Sequence, residues 1–187
     1  MGVTTIDPKP ALVVIDLQKG IVGLATVHPV EGILERAATL AKAFRGHGLP
    51  VVLVNVDGGA PGRTEAGWPA GSTHPPDWTE LADELEPQPG DHRITKRTWG
   101  AFHNTSLDAH LRGLGVTQVV LCGIATSAGV ESTARAAHEH GYHVVLATDA
   151  MTDRDPELHR NSVERVFPRL GERAATAEIV RMLGESR

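Results

Sequence analysis

The chain of 187 residues holds a single cysteine. No internal disulfide can form and no multi-cysteine zinc site can be assembled, which fits a reducing compartment. Excess positive charge is missing too: 18 Lys and Arg stand against 23 Asp and Glu, for a formal net charge of -5. With no run of Lys or Arg interrupting that balance, the chain lacks an electrostatic footprint for nucleic acid, and no such partner is expected. No apolar run approaches the roughly 18 residues of a membrane span, and nothing near the N-terminus joins a basic start to an apolar core and a cleavage site. The expectation is a cytoplasmic protein with no membrane contact. The glycines at 123 and 129 do not form a G-x-G-x-x-G fingerprint, so no dinucleotide is implied.

What is present is ordinary for a soluble globular protein, 41% hydrophobic and 22% charged residues, and one domain over residues 1–187 is expected. Ala11–Ile15 is a short apolar run ending in Asp16, and Leu49–Val54 is another, followed by Asn55 and Asp57. Each reads as a buried strand with polar residues at its carboxyl end. Between them Glu31–Phe44 spaces apolar residues at helical period and stops at Gly46 and Gly48, which completes a βαβ unit. The alternation continues: strand Arg93–Lys96, helix Leu107–Leu114, strand Val116–Leu121, helix Gly129–His140, strand Val144–Ala147. A helix from Asp155 to Phe167, an extended piece around Ala174 and a helix Ala177–Leu183 follow. This is an α/β pattern of three αβα layers, a parallel sheet with helices on both faces.

Asp57–Pro76 has glycine at 58, 59, 62, 67 and 71 and proline at 61, 69, 75 and 76, too many for a regular element. Such a loop in a compact domain is more often functional than filler, and it carries Arg63 and Trp68.

In open parallel sheets the working groups sit at strand carboxyl ends. Here that selects Asp16, Asn55, Asp57, Lys96, the Gly123–Gly129 turn and Asp149. Asp57 and Asp149 read as turn or capping residues. Asp16 directly follows five apolar residues, so burial demands a charged partner or a raised pKa. Lys96 is the candidate partner. The stretch Val119–Thr133 runs an apolar strand through a glycine-punctuated turn into a helix, and such a turn presents backbone N–H groups to a developing negative charge.

Val13-Val14-Ile15-Asp16-Leu17-Gln18, Lys96-Arg97-Thr98-Trp99-Gly100-Ala101-Phe102 and Gly123-Ile124-Ala125-Thr126 with Val130-Glu131-Ser132-Thr133-Ala134-Arg135-Ala136-Ala137 resemble, in order, three motifs of the isochorismatase-like hydrolases. That family includes nicotinamidases, N-carbamoylsarcosine amidases and isochorismatases. The resemblance covers nearly the whole chain and implies a Rossmann-like sheet of six parallel strands. It also implies a catalytic set of Asp, Lys and Cys, of which Asp16 and Lys96 match the first two. The third departs: the family cysteine falls on Gly129, while Cys122 lies within the preceding strand and reads as a core residue.

Thr126 and Ser127 sit in the turn, but their hydroxyls need an adjacent base to act as nucleophiles. A Ser or Thr just before a helix is ordinarily its N-cap. Isochorismatases resemble this chain in carrying glycine at the cysteine position, and they cleave a vinyl ether without a covalent intermediate. Protonation of the terminal vinyl carbon gives an oxocarbenium ion that water captures, so a positioned acid suffices. The resemblance therefore implies acid-catalysed hydrolysis of a small anionic substrate such as isochorismate, with Asp16 as acid and Lys96 as its electrostatic partner. The backbone N–H groups of Ala125 and Gly129 would line an anion pocket with Thr126 and Ser127, after a cis Ile124–Ala125 peptide.

Arg63 is the favoured side chain for a substrate carboxylate, and Arg97 a further one. Trp99 and Phe102 would form an apolar wall, or else belong to the core. The family's nicotinamidases hold a metal with an Asp-x-His pair, but this chain reads Asn55-Val56-Asp57-Gly58-Gly59 there, so neither a metal nor any other cofactor is expected. Two other readings stand beside vinyl ether hydrolysis: an amidase using water activated by Asp16, and a non-catalytic relative that binds a small molecule or partner. Relatives commonly assemble, so a homodimer or homotetramer is expected, with the apolar faces at Ala134–Ala137 and Val163–Phe167 as core or interface.

Overall fold

A computed structural model describes residues 2–65 and 74–185; Trp68 lies outside them. Six strands, β1 (Pro10–Ile15), β2 (Val51–Val56), β3 (His92–Lys96), β4 (Gln118–Ile124), β5 (His143–Thr152) and β6 (Glu172–Ala174), form one sheet in the order β3-β2-β1-β4-β5-β6. Every pairing is parallel. The helices are α1 (Lys19–Val22), α2 (Val30–Gly46), α3 (Leu107–Gly113), α4 (Glu131–Glu139), α5 (Pro156–Asn161) and α6 (Thr176–Glu185). The expected six-stranded α/β fold is thus observed. None of the described helices is long and apolar enough to cross a membrane.

The continuous apolar runs of β1 and β4 follow from their central place. Every residue of both strands is buried, and successive side chains feed opposite layers. Leu12, Val14, Val120 and Cys122 pack with Leu40 and Phe44 of α2 and Ile179 and Leu183 of α6. Val13, Ile15, Val119 and Leu121 pack with Leu107 and Leu111 of α3 and Ala134 and Ala137 of α4. Each such large side chain contributes about 1.5–3 kcal/mol. Cys122 is a core residue as expected, and burial, with a smaller push from Asp149, raises its thiol to about 12. Ala134, Ala137 and Phe167 are likewise fully buried within the chain.

Three elements differ from their expected extents. β5 runs on to Thr152 because it bulges: Leu121 pairs with Leu146, but Gly123 pairs with Met151. Asp149, inside the bulge, takes the Thr176 N–H at 2.8 Å and its hydroxyl at 2.9 Å, so it secures the start of α6. The helix expected over Asp155–Phe167 is α5 followed by a π turn (Ser162–Val166) and a 3-10 turn (Phe167–Arg169). Arg173 claims the Val163 carbonyl at 3.0 Å and Pro168 lacks an N–H, so the regular ladder cannot continue. The helix expected from Gly129 begins instead with a π turn, Thr126–Val130.

At the centre β1 and β4 approach so closely that a Cβ on Gly123, whose φ is +124°, would drive into the Ile15 carbonyl oxygen. Only glycine fits there. This contact lies where the strand order reverses direction, and it fixes how near the turn after β4 comes to the end of β1.

Candidate active site

Asp16 is the first residue beyond β1. Its backbone adopts φ +51°, a left-handed conformation that Asp tolerates better than most residues, and its N–H bonds to the Val54 carbonyl at 2.9 Å. The side chain lies at the carboxyl end of the sheet and the residue is only 6% exposed. Lys96, the last residue of β3, is 2% exposed. In that strand Ile94 and Lys96 face inward while Arg93 and Thr95 face solvent. The Lys96 ammonium donates to Asp16 Oδ2 at 2.7 Å and to the Thr98 carbonyl at 3.0 Å.

Asp16 Oδ1 is buried and, among the described residues, without a hydrogen-bond partner. Burial pushes the carboxyl up to about 6, against the opposing pull of the Lys96 charge and its hydrogen bond. The two opposing effects named from the sequence are both present, and desolvation is the larger.

Gly129 faces this pair. A Cβ there would lie 3.2 Å from Asp16 Oδ2 and 2.9 Å from Ile15 Cγ2, so the chain places its nucleophile-free position directly against the acid. The Ile124–Ala125 peptide is cis. Thr126 and Ser127 do not cap the helix with their side chains. The buried Thr126 hydroxyl lies 2.9 Å from Nδ1 of His159 on α5, and the Ser127 N–H donates to Asp153 Oδ2 at 2.7 Å. Thr133 donates its hydroxyl to the Gly129 carbonyl at 2.7 Å and accepts the Ala101 N–H at 3.0 Å. It ties the turn to the segment after Lys96.

Gln18 does similar work at the other rim. Fully buried, it accepts the Val56 N–H at 2.7 Å and donates to the carbonyls of Val56 at 3.1 Å and Trp78 at 2.8 Å.

Asp16, Lys96, Gly129 and the Ala125–Ser127 turn are therefore brought together. Four other expected residues lie elsewhere or stand exposed. Phe102 belongs to the core, one of its two expected places: it stacks on His140 with centroids 5.1 Å apart and lies 5.9 Å from Tyr142, in the cluster that includes α3 and α4. Arg63 is exposed on its loop. Arg97 is exposed and pairs only loosely with Asp57, at 4.0 Å. Trp99 is 67% exposed, a large apolar group left open on the segment after Lys96. Asp153, Thr133 and His159 escaped the sequence reading. Asp153 follows a strand whose bulge hid its end, Thr133 stands one helical turn beyond Gly129, and His159 carries no local signal at all.

Among the described residues no group of three or more His, Cys, Asp or Glu could hold a metal ion. The chemistry on offer is that of a buried carboxyl with a raised pKa, backed by an ammonium and a turn of backbone amides.

The Isochorismatase domain family matches residues 10–178. The chain is 42% identical to the isochorismatase family protein YwoC of Bacillus subtilis, over 96% of this chain and 97% of that one. Its fold superposes on an isochorismatase family protein of Burkholderia thailandensis with a TM-score of 0.92 at 39% identity, covering 96% and 98% of the two chains. It is also similar to the N-carbamoylsarcosine amidase of Thermoplasma acidophilum, with a TM-score of 0.75 at 31% identity over 90% and 96%. With its ordered motifs, its sheet order and these matches in agreement, the chain belongs to the isochorismatase family.

Proposed function

We propose that the protein is a cofactor-independent hydrolase that opens the vinyl ether of a small anionic substrate such as isochorismate, with Asp16 as the acid. One observation carries this reading: Asp16 is a buried carboxyl with a pKa near 6, one oxygen free of partners, set against a glycine. A protonated Oδ1 gives its proton to the terminal vinyl carbon, and the ether oxygen stabilises the oxocarbenium ion that results. Water adds to the ether-bearing carbon of that ion and loses a proton, the hemiketal collapses, and pyruvate leaves from the ring alcohol, dihydrodihydroxybenzoate. The carboxylate left on Asp16 is held by the Lys96 ammonium 2.7 Å away until it is reprotonated. No covalent intermediate is required, which agrees with the absence of any side chain at Gly129. The N–H groups of Ala125 and Gly129 would face the substrate's negative charge.

A second reading is favoured by the amidase relative: the ionised form of Asp16 would act as base on water that attacks an amide. The test follows pyruvate release from isochorismate and ammonia release from small amides, in the wild type and in Asp16→Asn. Pyruvate release that falls by about 10² to 10⁴ in the variant supports acid catalysis; ammonia release with the same dependence favours the amidase, and silence toward both leaves a ligand-binding relative. We further infer a homodimer or homotetramer, as the resemblance to the family implies.

A further inference from the structure

The turn bearing Gly129 is held from outside by three side chains: Thr133 at the Gly129 carbonyl, Asp153 at the Ser127 N–H, and His159 at the Thr126 hydroxyl. Only the last contact depends on a group that titrates near neutrality. Thr126 is fully buried, and among the described residues the His159 ring is the one partner of its hydroxyl. The hydroxyl proton needs an acceptor, so Nδ1 of His159 is bare and the ring proton sits on Nε2. A protonated ring would turn Nδ1 into a donor to the Thr126 oxygen and leave the buried hydroxyl proton without an acceptor among the described residues.

The groups around His159 on balance disfavour its protonation. His28, from the segment before α2, packs edge-on with centroids 4.8 Å apart, its own Nδ1 3.1 Å from the Thr152 hydroxyl. Asp153, at the end of β5, is the acidic group that faces it. Burial and then His28 push the imidazole below its ordinary value, and Asp153 opposes them. On its own helix the His159 N–H bonds to the Asp155 carbonyl at 3.0 Å.

We propose that His159 is a positioning residue: as a neutral acceptor of the Thr126 hydroxyl it holds the Ala125–Gly129 turn against Asp16, and protonation of its ring releases that hold. His159 touches no reacting atom. In its activity arm the inference rests on the hydrolase reading above, and it adds an acid limb set by His159 to a pH profile whose alkaline limb is set by Asp16.

The test uses two variants. In His159→Asn the side-chain oxygen takes the place of Nδ1 and accepts without titrating; His159→Leu fills space and accepts nothing. Amide resonances of Ser127 and Gly129 are followed from about pH 5 to 8, in an Asp16→Asn background so that the neighbouring carboxyl does not contribute. Those amides are expected to titrate together with the His159 ring, and to stay flat in the His159→Asn variant. With Asp16 intact, His159→Leu is expected to lower kcat for isochorismate about tenfold with KM within about threefold. His159→Asn is expected to restore kcat to within about threefold of wild type and to lose the acid limb. Turn amides that ignore the imidazole, or two variants that behave alike, would overturn the proposal. If the wild type leaves isochorismate intact, the proposed reaction falls, and the amide titrations still decide the role of His159.

Discussion

Asp16 gives one carboxyl oxygen to the Lys96 ammonium at 2.7 Å and keeps the other buried with no partner among the described residues. That asymmetry separates this pair from a structural salt bridge, in which every lone pair is satisfied. The ammonium restrains the carboxyl's basicity, while the empty oxygen is where a proton can reside and leave.

The pH dependence follows from that proton. Asp16 titrates near 6 when folded and near 3.8 when unfolded. Between those values the folded chain binds the extra proton, so its contribution to stability is present at low pH and is lost as pH rises through the window, by roughly 3 kcal/mol in all. Turnover by the protonated carboxyl moves the same way, dropping tenfold for each unit above about 6. Denaturant unfolding at about pH 4 and pH 7, compared between wild type and Asp16→Asn, reads the first effect. A pH–rate profile reads the second.

Lys96→Met removes the charge that pulls the Asp16 pKa down. The alkaline limb of the rate profile is expected to move to higher pH, and turnover at its optimum to fall roughly tenfold or more because the spent carboxylate loses its counter-charge. Unfolding midpoints should drop most at alkaline pH, where the variant strands a bare buried carboxylate, and least below pH 5 or so.

Gly129→Cys returns the family's nucleophile in name only. Its Cβ would press on Ile15 Cγ2 at 2.9 Å and on Asp16 Oδ2 at 3.2 Å, and Ile15 is fully buried in β1. Stability is expected to fall by about 1–3 kcal/mol and pyruvate release to decline, with no ammonia released from amides. Efficient amide hydrolysis by this variant would remove the steric reason for the glycine.

Thr133→Val keeps the shape of the side chain and deletes one oxygen. The Ala101 N–H and the Gly129 carbonyl lose a buried partner together, a cost of about 1–3 kcal/mol in denaturant unfolding. Because that oxygen joins the two halves of the site, kcat should fall further than KM rises.

Much of this site was legible beforehand because it sits where local patterns end. Five apolar residues running into Asp16 announce a buried strand that finishes in a carboxyl, and the glycine-rich run after Val119 announces the turn. What escaped was set by distant partners. Phe102 follows Lys96 closely in the chain, yet its ring goes to Tyr142 and His140, whose positions depend on where α4 ends. The bulge in β5 hid Asp153, since Thr148 and Asp149 break the apolar run that marked the strand, and the contact of His159 with Thr126 spans 33 residues. A residue's role as a holder of backbone elsewhere leaves no periodic trace.

The pleat of β3 has a consequence for assembly of the sheet. This outer strand has five residues, and Lys96 reaches Asp16 across β2 only because it shares a face with Ile94. Sliding the strand by one position would send Arg93 and Thr95 inward and carry the ammonium into solvent. The ion pair therefore marks one alignment among neighbours that the apolar residues of so short a strand would distinguish weakly, and the charge used in chemistry also proofreads how the edge is laid down.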